Sequence, residues 1–382
     1  MSFKHFRPLA QFLRGFTAIS LIAILSGCSL FSGPARPKPA ELQPVSGALS
    51  VRQAWTARLG AVDFPLDVNV SGSTVFLASS DGTVAAIDAR TGLDLWRVAV
   101  GAIAAGVGSD GKVAAVVTRA NEVVAIQNGR ELWRQKLDAQ AYTSPLVAGE
   151  RVFVLAADRS VSAFDGQTGR KLWAQQRPNE PLVLRQPGVI LAVGDTLVVG
   201  LAGRLAGLNP TNGSVRWEAP IASPRGINDV ERLVDLVGPV SRDGDFVCAR
   251  AFQASLGCVN TSRGSLLWTK PANGFSGISG DDRLLFGTES DGTVVAWLRN
   301  NGERAWATEL LRYRNLTAPL VVGRALAVGD FAGFVHLLSR ADGSSLNRLP
   351  TDGSAIAAVP VLAGNSLVAV TRNGAVYGFV PE

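Results

Sequence analysis

The sequence predicts an all-β protein, an eight-bladed β-propeller whose blades are four-stranded antiparallel sheets. Three observations carry this prediction. A unit of about 40 residues recurs along most of the chain. Each unit contains four short apolar runs bounded by Gly, Asp or Asn, as residues 141–173 show most clearly. Helix-type spacing is nearly absent, and Gly, Val, Leu and Ala dominate, as expected for many short strands and turns.

The clearest marker of the repeat is a Gly that stands four residues before a Trp. Successive Trp residues of this marker are 37, 40, 44, 51 and 38 positions apart. The Gly is typical of a hairpin turn that needs a positive φ angle. We expect each Trp to fill the space between neighbouring blades. The marker pairs are Gly92/Trp96, Gly129/Trp133, Gly169/Trp173, Gly213/Trp217, Gly264/Trp268 and Gly302/Trp306.

The ends of the chain complete the count of blades. A seventh unit has Gly343 but places Asn347 where Trp is expected. An eighth unit, 355–380, stops without a fourth strand, and 51–59, which contains Trp55, has no strands before it. Pairing these two segments in one blade closes the ring and leaves no unpaired terminal edge.

The first residues have the features of an export signal. Three basic residues precede an apolar run, 16–25, that is too short to span a bilayer. The run leads into Ser26-Gly27-Cys28, which resembles the lipobox of bacterial lipoproteins, where cleavage precedes a Cys that receives lipid. An ordinary signal peptide followed by a chance Cys is the alternative.

The predicted domains are therefore a signal peptide (1–27), a lipidated Cys28 with a flexible tether rich in Pro, Ser and Gly (28–50), and the propeller (51–382). Ser29 follows the Cys and resembles the pattern of outer-membrane lipoproteins. The resemblance implies a lipid anchor in the outer membrane, with the protein on its periplasmic face.

The charge of the mature chain does not favour nucleic acid as a partner. Cleavage removes Lys4, Arg7 and Arg14 and no acidic residue, so the formal net charge falls from +6 to +3. The remaining sequence has no prominent run of Lys and Arg.

Few residues of the mature chain suggest chemistry. Its one His, His336, lies in an apolar run of blade seven and fits a core or surface position better than a metal site. The Asp-Gly-Thr segments at Asp81 and Asp291 lack the further carboxylates of a calcium loop. We therefore predict no catalytic residue, metal or cofactor. Cys248 and Cys258 should lie opposite each other in adjacent strands, either as a disulfide or as two buried thiols.

The unit Ala-x-Asp-x-x-Thr-Gly-x-x-x-Trp, at 86–96 and 163–173, resembles the PQQ-type propeller repeat. That repeat occurs in quinoprotein dehydrogenases and in non-enzymatic relatives. The dehydrogenases carry a vicinal Cys pair, a calcium site and a catalytic Asp around the quinone, whereas this chain has no Cys-Cys pair. The resemblance therefore implies the propeller and not the cofactor.

The lipobox, the Pro-rich tether and the eight units together resemble the BamB family of outer-membrane assembly lipoproteins. Two segments sharpen the resemblance. Residues 181–185 resemble the family's Leu-x-Leu-Arg segment, and 231–239 resemble its Glu-x-x-Arg-Leu-x-Asp-x-Asp stretch. Asp235 matches the first Asp of that stretch, while Val237 stands where the second would fall.

The resemblance implies a non-enzymatic scaffold of the β-barrel assembly machinery. Its partners would be the periplasmic POTRA domains of BamA, the rest of the complex and unfolded outer-membrane proteins. The implied partner-binding residues are Leu182, Leu184, Arg185 and Asp235. Two other functions stay open: a PQQ-dependent quinoprotein dehydrogenase and a periplasmic ligand-binding propeller.

The spacing of the repeat independently indicates the same two segments, because the two longest Trp intervals contain them. Both lie in links from the outer strand of one blade to the inner strand of the next, and such links emerge on one face of a propeller. We therefore expect Asp235 to lie close enough to Arg185 to orient it. Leu182 and Leu184 would point the same way from an extended backbone. The alternative is that both leucines enter the inner strand of blade four.

Overall fold

The computed structural model describes residues 37–45, 47–176, 183–223 and 233–382. Within these residues every regular element is a strand, and the strands form eight four-stranded antiparallel sheets. The first strands of successive blades contact one another and line the centre of the ring. The predicted eight-bladed propeller is therefore confirmed.

The strands of the first four blades are given from the inner to the outer edge. Blade one comprises β2 (Asn69–Ser71), β3 (Thr74–Ala78), β4 (Thr83–Asp88) and β5 (Asp94–Ala99). Blade two comprises β6 (Ile103–Ser109), β7 (Val113–Thr118), β8 (Glu122–Gln127) and β9 (Arg130–Lys136). Blade three comprises β10 (Leu146–Ala148), β11 (Arg151–Leu155), β12 (Val161–Asp165) and β13 (Lys171–Gln175). Blade four comprises β14 (Ile190–Val193), β15 (Thr196–Leu201), β16 (Arg204–Leu208) and β17 (Val215–Pro220).

The remaining blades follow the same order. Blade five comprises β18 (Leu236–Asp243), β19 (Phe246–Ala251), β20 (Ser255–Asn260) and β21 (Ser265–Pro271). Blade six comprises β22 (Ile278–Gly280), β23 (Leu284–Thr288), β24 (Val294–Leu298) and β25 (Arg304–Thr308). Blade seven comprises β26 (Leu320–Val322), β27 (Ala325–Gly329), β28 (Phe334–Ser339) and β29 (Ser345–Pro350). Blade eight comprises β30 (Val361–Ala363), β31 (Ser366–Val370), β32 (Ala375–Pro381) and β1 (Val51–Arg58).

The ring closes as predicted, because β1 pairs with β32 as the outer strand of blade eight. Trp55 of β1 lies opposite Gly378, where its indole covers a position that has no room for a Cβ atom. The first and last strands that the structure describes therefore share one sheet, and each holds the other in place.

The Trp residues pack between blades, which confirms the role predicted for them. Each indole covers the turn Gly of the next blade, so a Cβ atom there would collide with the ring. Several indole N–H groups also donate to a carbonyl of that next blade, for example Trp133 Nε1 to Gly166 O at 2.9 Å. The contacts are Trp55 on Gly92, Trp96 on Gly129, Trp133 on Gly169, Trp173 on Gly213, Trp217 on Gly264, Trp268 on Gly302 and Trp306 on Gly343.

Blade seven lacks this Trp, and the chain that precedes β1 takes its place. Asn347, at the Trp position, donates from Nδ2 to the carbonyl of Leu49 at 2.7 Å. Leu49 packs against the core between blades seven and eight, and Leu42 against the core between blades six and seven. We call residues 39–45 and 47–50 the strap. The sequence predicted a flexible tether here, whereas the strap is packed on the propeller. Apolar side chains within the Pro-rich segment explain the difference.

Membrane-spanning helices are not found in the described part of the chain, which contains no helix long and apolar enough to cross a bilayer.

Candidate functional site

The two links singled out by the sequence approach each other in the structure. Leu184 and Arg185 lie in the link that leads to β14, and Asp235 stands directly before β18. Since β14 begins at Ile190, Leu184 lies outside the inner strand of blade four, and that alternative is wrong for this residue. Leu182 and Cys28 lie outside the described residues, so their predicted roles stay predictions.

The Asp235 carboxylate joins the links. Its Oδ2 accepts the backbone N–H of Leu184 at 2.8 Å, and its Oδ1 accepts Nη2 of Arg159 at 3.1 Å. The side chains of Arg159 and Asp235 are 9% and 17% exposed, so solvent screens the ion pair only partly. The carbonyl of Asp235 accepts the N–H of Phe252 at 2.9 Å. Blade three, the link that leads to blade four, and blade five are therefore tied together at Asp235.

Arg159, which the sequence reasoning missed, belongs to the turn between β11 and β12. It occupies the place that Gly82 and Gly292 hold in the corresponding turns of blades one and six. Its φ angle is +62°, a left-handed conformation that is uncommon for residues other than Gly. The sequence signal for this residue was an Arg at a turn position where other units have Gly. A bulky residue at such a position has a conformational cost, which indicates that its side chain has a role.

Arg185 is exposed, and its guanidinium lies over the ring of Tyr142 at 5.9 Å from the centroid. The expectation that Asp235 orients the Arg185 side chain stays a prediction. Asp235 holds the backbone one residue earlier, at Leu184. The Tyr142 ring therefore lies beside the guanidinium, while Arg185 stays exposed.

Two adjoining pockets, one with an apolar wall and one polar, lie beside the links and share Tyr142, and we call them together the cleft. Leu155, Leu184 and Leu236 contribute the apolar part, next to Arg159 and Asp235. The backbone approaches closely here: Thr143 Oγ1 accepts the N–H of Gly188 at 2.9 Å, and the carbonyl of Pro187 accepts the N–H of Gly238 at 2.9 Å. These hydrogen bonds fix the link between blades three and four against its neighbours.

The polar part of the cleft is lined by Arg185, Tyr142, Arg119 and Asp63. Arg119 Nη2 donates to Asp63 Oδ1 at 2.6 Å. Hydrogen bonds from Ser80 and Arg119 hold the pKa of Asp63 below its ordinary value. The polar part of the cleft therefore presents the Arg185 guanidinium beside the Arg119–Asp63 ion pair.

The position that matches the family's second carboxylate has no surface role in this chain. Val237 is buried within β18 and pairs with Arg250 of β19. The one carboxylate that this link brings to the cleft among the described residues is that of Asp235.

Cys248 and Cys258 lie directly opposite each other in β19 and β20, with a Cα–Cα distance of 4.0 Å, and are joined as a disulfide. Both are buried in the core shared by blades five and six. His336, in β28, is buried beside Asp330, and the His336 Nε2 and Asp330 Oδ2 atoms are 2.9 Å apart. No group of three or more His, Cys, Asp or Glu residues suited to a metal ion is found where the structure describes the chain.

These features define a class: an eight-bladed propeller of the PQQ-like repeat, with a cleft built where the repeat is interrupted. The family model described as outer membrane protein assembly factor BamB matches residues 13–101 and 80–308. The BamB of Burkholderia pseudomallei is 36% identical over 98% of this chain and 99% of its own length. That of Bordetella pertussis is 36% identical over 94% and 95%. The chain belongs to the BamB family.

Solved structures agree with the fold. The crystal structure of BamB from Moraxella catarrhalis has a TM-score of 0.77 and 24% identity, and the match covers 86% of this chain and 99% of that one. A quinohemoprotein alcohol dehydrogenase from Pseudomonas putida has a TM-score of 0.68 at 12% identity, over 89% and 78% of the two chains. At such identities the likeness concerns the fold alone.

Proposed function

We propose that this chain is a non-enzymatic assembly factor of the outer membrane, and that it acts as a scaffold in the complex that assembles β-barrel proteins there. Membership of the BamB family, at 36% identity over nearly the whole chain, carries this conclusion. The dehydrogenases share its fold at far lower identity. A propeller is suited to this role because its links present side chains on a rigid ring.

The finer proposal concerns the partner. The cleft at Leu184 and Arg185 would bind the POTRA region of BamA, with Leu182 contributing from the same link. An apolar side chain of the partner would pack on Leu184, and a carboxylate would pair with the exposed Arg185 guanidinium, which offers planar N–H donors. Asp235 and Arg159 would act as positioning residues, because Asp235 accepts the Leu184 N–H, Arg159 holds Asp235, and both side chains are largely buried.

The position in the cell is also part of the proposal. Cys28 would carry lipid after cleavage of 1–27, which would anchor the chain to the outer membrane with the propeller on the periplasmic side. Residues 28–50 would link the lipid to the propeller, and their last part is the strap. Unfolded outer-membrane proteins would be a further, transient class of partner.

The test is recovery of partners from detergent-solubilised outer membrane, with the tagged full chain as bait and mass spectrometry as readout. We expect BamA and the other components of the assembly complex to be enriched with the wild-type chain. A Leu184→Ser variant should lose them, whereas a Leu267→Ser variant, changed at an exposed leucine of the outer strand β21, should retain them. The proposal would be contradicted if the wild-type chain recovered no BamA, or if the Leu184→Ser and Leu267→Ser variants recovered it equally.

A further inference from the structure

The N-terminal end of the strap lies at the link between blades six and seven, away from β1 in blade eight. Arginine side chains and one amide hold its backbone. Ala40 N–H donates to the Arg312 carbonyl at 2.9 Å, so the strap reaches the link between blades six and seven. The side-chain contacts are Arg314 Nη1 to Ala40 O at 3.1 Å, Arg348 Nη2 to Gln43 O at 2.7 Å, Arg324 Nη2 to Ala48 O at 2.8 Å and Asn347 Nδ2 to Leu49 O at 2.7 Å.

Three large apolar side chains are exposed beside this end of the strap. Leu310, Tyr313 and Phe331 are 43%, 38% and 41% exposed. We call them the exit patch. The guanidinium of Arg312 lies 5.1 Å from the Tyr313 ring, and that of Arg314 lies 5.2 Å from the Phe331 ring. The same two arginine residues bind Ala40, so the patch and the strap end form one surface.

The exit patch is held in an exposed position by its backbone. Tyr313 has a φ angle of +58°, which is rare for a bulky side chain, and its N–H donates to the Asp291 carbonyl at 2.7 Å. Arg312 pairs with Asp291 and Glu309, and Arg314 pairs with Asp330 at 2.7 Å. These ion pairs compensate the charges around the patch and lower the cost of bringing it to an apolar surface.

We propose that the exit patch contacts the headgroup region of the lipid bilayer to which the chain is anchored. This inference rests on the proposed lipidation of Cys28. Only eleven residues lie between Cys28 and Ala40, and the twelve extended steps of about 3.5 Å that join them reach at most about 40 Å. The strap therefore brings the exit patch within reach of the membrane, and Leu, Tyr and Phe are side chains that favour the membrane interface.

The orientation follows from the strap. If the chain left the propeller at Val51, the anchored end would lie beside blade eight. Because the strap runs from Val51 along blade seven to the link between blades six and seven, the anchored end of the chain lies there. The edge between blades six and seven then faces the membrane. The cleft at Leu184 and Arg185, built between blades three and five, then stays away from the bilayer and accessible to a partner in the periplasm.

The experiment uses the full lipidated chain, reconstituted in vesicles of phosphatidylethanolamine and phosphatidylglycerol that contain a nitroxide-labelled phospholipid. An NBD fluorophore is attached through Tyr313→Cys or, as control, through Leu93→Cys, which replaces a leucine that is 69% exposed at the edge of blade one. Cys248 and Cys258 do not compete for label because they form a buried disulfide. We expect a blue shift and loss of fluorescence at position 313 and neither at position 93.

Two further variants separate the patch from the strap. Leu310→Ser with Phe331→Ser should reduce the quenching at position 313, with the melting temperature measured to establish folding. Arg324→Ala with Arg348→Ala should release the strap and reduce the same quenching while flotation with vesicles persists.

The outcomes are distinct. Flotation without quenching at position 313, or equal quenching at positions 313 and 93, overturns the proposed contact of the exit patch with the bilayer. Neither result contradicts the lipid anchor. A blue shift at position 313 that appears only after addition of the BamA periplasmic region, with no quenching by the labelled lipid, assigns the patch to a protein and also overturns the inference. A chain that does not float overturns the proposed anchor, and the patch proposal falls with it.

Discussion

Arg159 and Asp235 form an ion pair across 76 residues of chain, from a turn of blade three to the link before blade five. Replacing Asp235 with Asn keeps an oxygen for the Leu184 N–H but removes the charge that holds Arg159. We expect binding of the BamA POTRA region to weaken about tenfold, or about 1.4 kcal/mol. Asp195→Asn is the matched control, because Asp195 pairs with Arg216 but is 85% exposed. Equal binding by both variants would show that Asp235 does not position the site.

The indole–glycine contacts predict that Gly169→Ala is strongly destabilising. A Cβ atom at Gly169 would lie 2.6 Å from the Trp133 ring, and its φ angle is +72°. Gly194 has a similar φ angle, +56°, with no atom within 4 Å of the added Cβ, so Gly194→Ala isolates the conformational cost. We expect losses of about 3 kcal/mol and about 1 kcal/mol in the free energy of unfolding. Similar losses from chemical denaturation would refute the packing role.

The disulfide between Cys248 and Cys258 is expected to stabilise blade five. Replacing both with Ala should lower the free energy of unfolding by about 2–4 kcal/mol, because the cross-link constrains the unfolded chain and its sulfur atoms fill buried space. Reductant should lower the melting temperature of the wild type and leave that of the double variant unchanged. Thermal unfolding of both chains with and without reductant checks this, and a wild type indifferent to reductant after prolonged incubation would contradict it.

His336 makes stability depend on pH. Burial lowers its pKa below the ordinary 6.5, against the opposing effect of the hydrogen bond that it donates to Asp330, and Arg314 and Arg348 lower it further. As the pH falls through 6.5, His336 of the unfolded chain therefore becomes protonated, whereas His336 of the folded chain stays neutral until a lower pH. The stability is full above pH 6.5 and falls as pH drops below it, by about 1.4 kcal/mol per unit of pKa difference.

The carboxyl group beside it titrates in another range. Burial would raise the pKa of Asp330, but hydrogen bonds from His336, the Phe334 N–H and Arg314 keep it below its ordinary 3.8. His336→Gln should therefore flatten the loss of melting temperature between about pH 7.5 and pH 5.5, where only the imidazole changes charge in this cluster. An unchanged slope would assign the pH dependence to other groups.

The ring was predictable because its determinants are local. The Gly–Trp marker gives the number of units. The unit at 355–380 lacks a fourth strand and the strand predicted at 51–59 belongs to no other unit, which indicates that the two ends close the ring together. The site was predictable in part, because a broken repeat marks the links that carry Leu184 and Asp235. Arg159 was missed because its contact with Asp235 arises through space, between blades. The strap was missed because its anchors, Arg324, Asn347 and Arg348, are nearly 300 residues away in sequence.

The binding role of the cleft is tested most directly by the affinity of the Arg185→Glu variant for the purified BamA POTRA region, measured by isothermal titration calorimetry. Arg170→Glu is the control, since Arg170 is equally an exposed arginine of this part of the ring but belongs to the turn before β13. We predict at least tenfold weaker binding for Arg185→Glu, about 1.4 kcal/mol or more, with unchanged melting temperature and normal binding by the control. Wild-type affinity in the Arg185→Glu variant would contradict the assignment of this cleft.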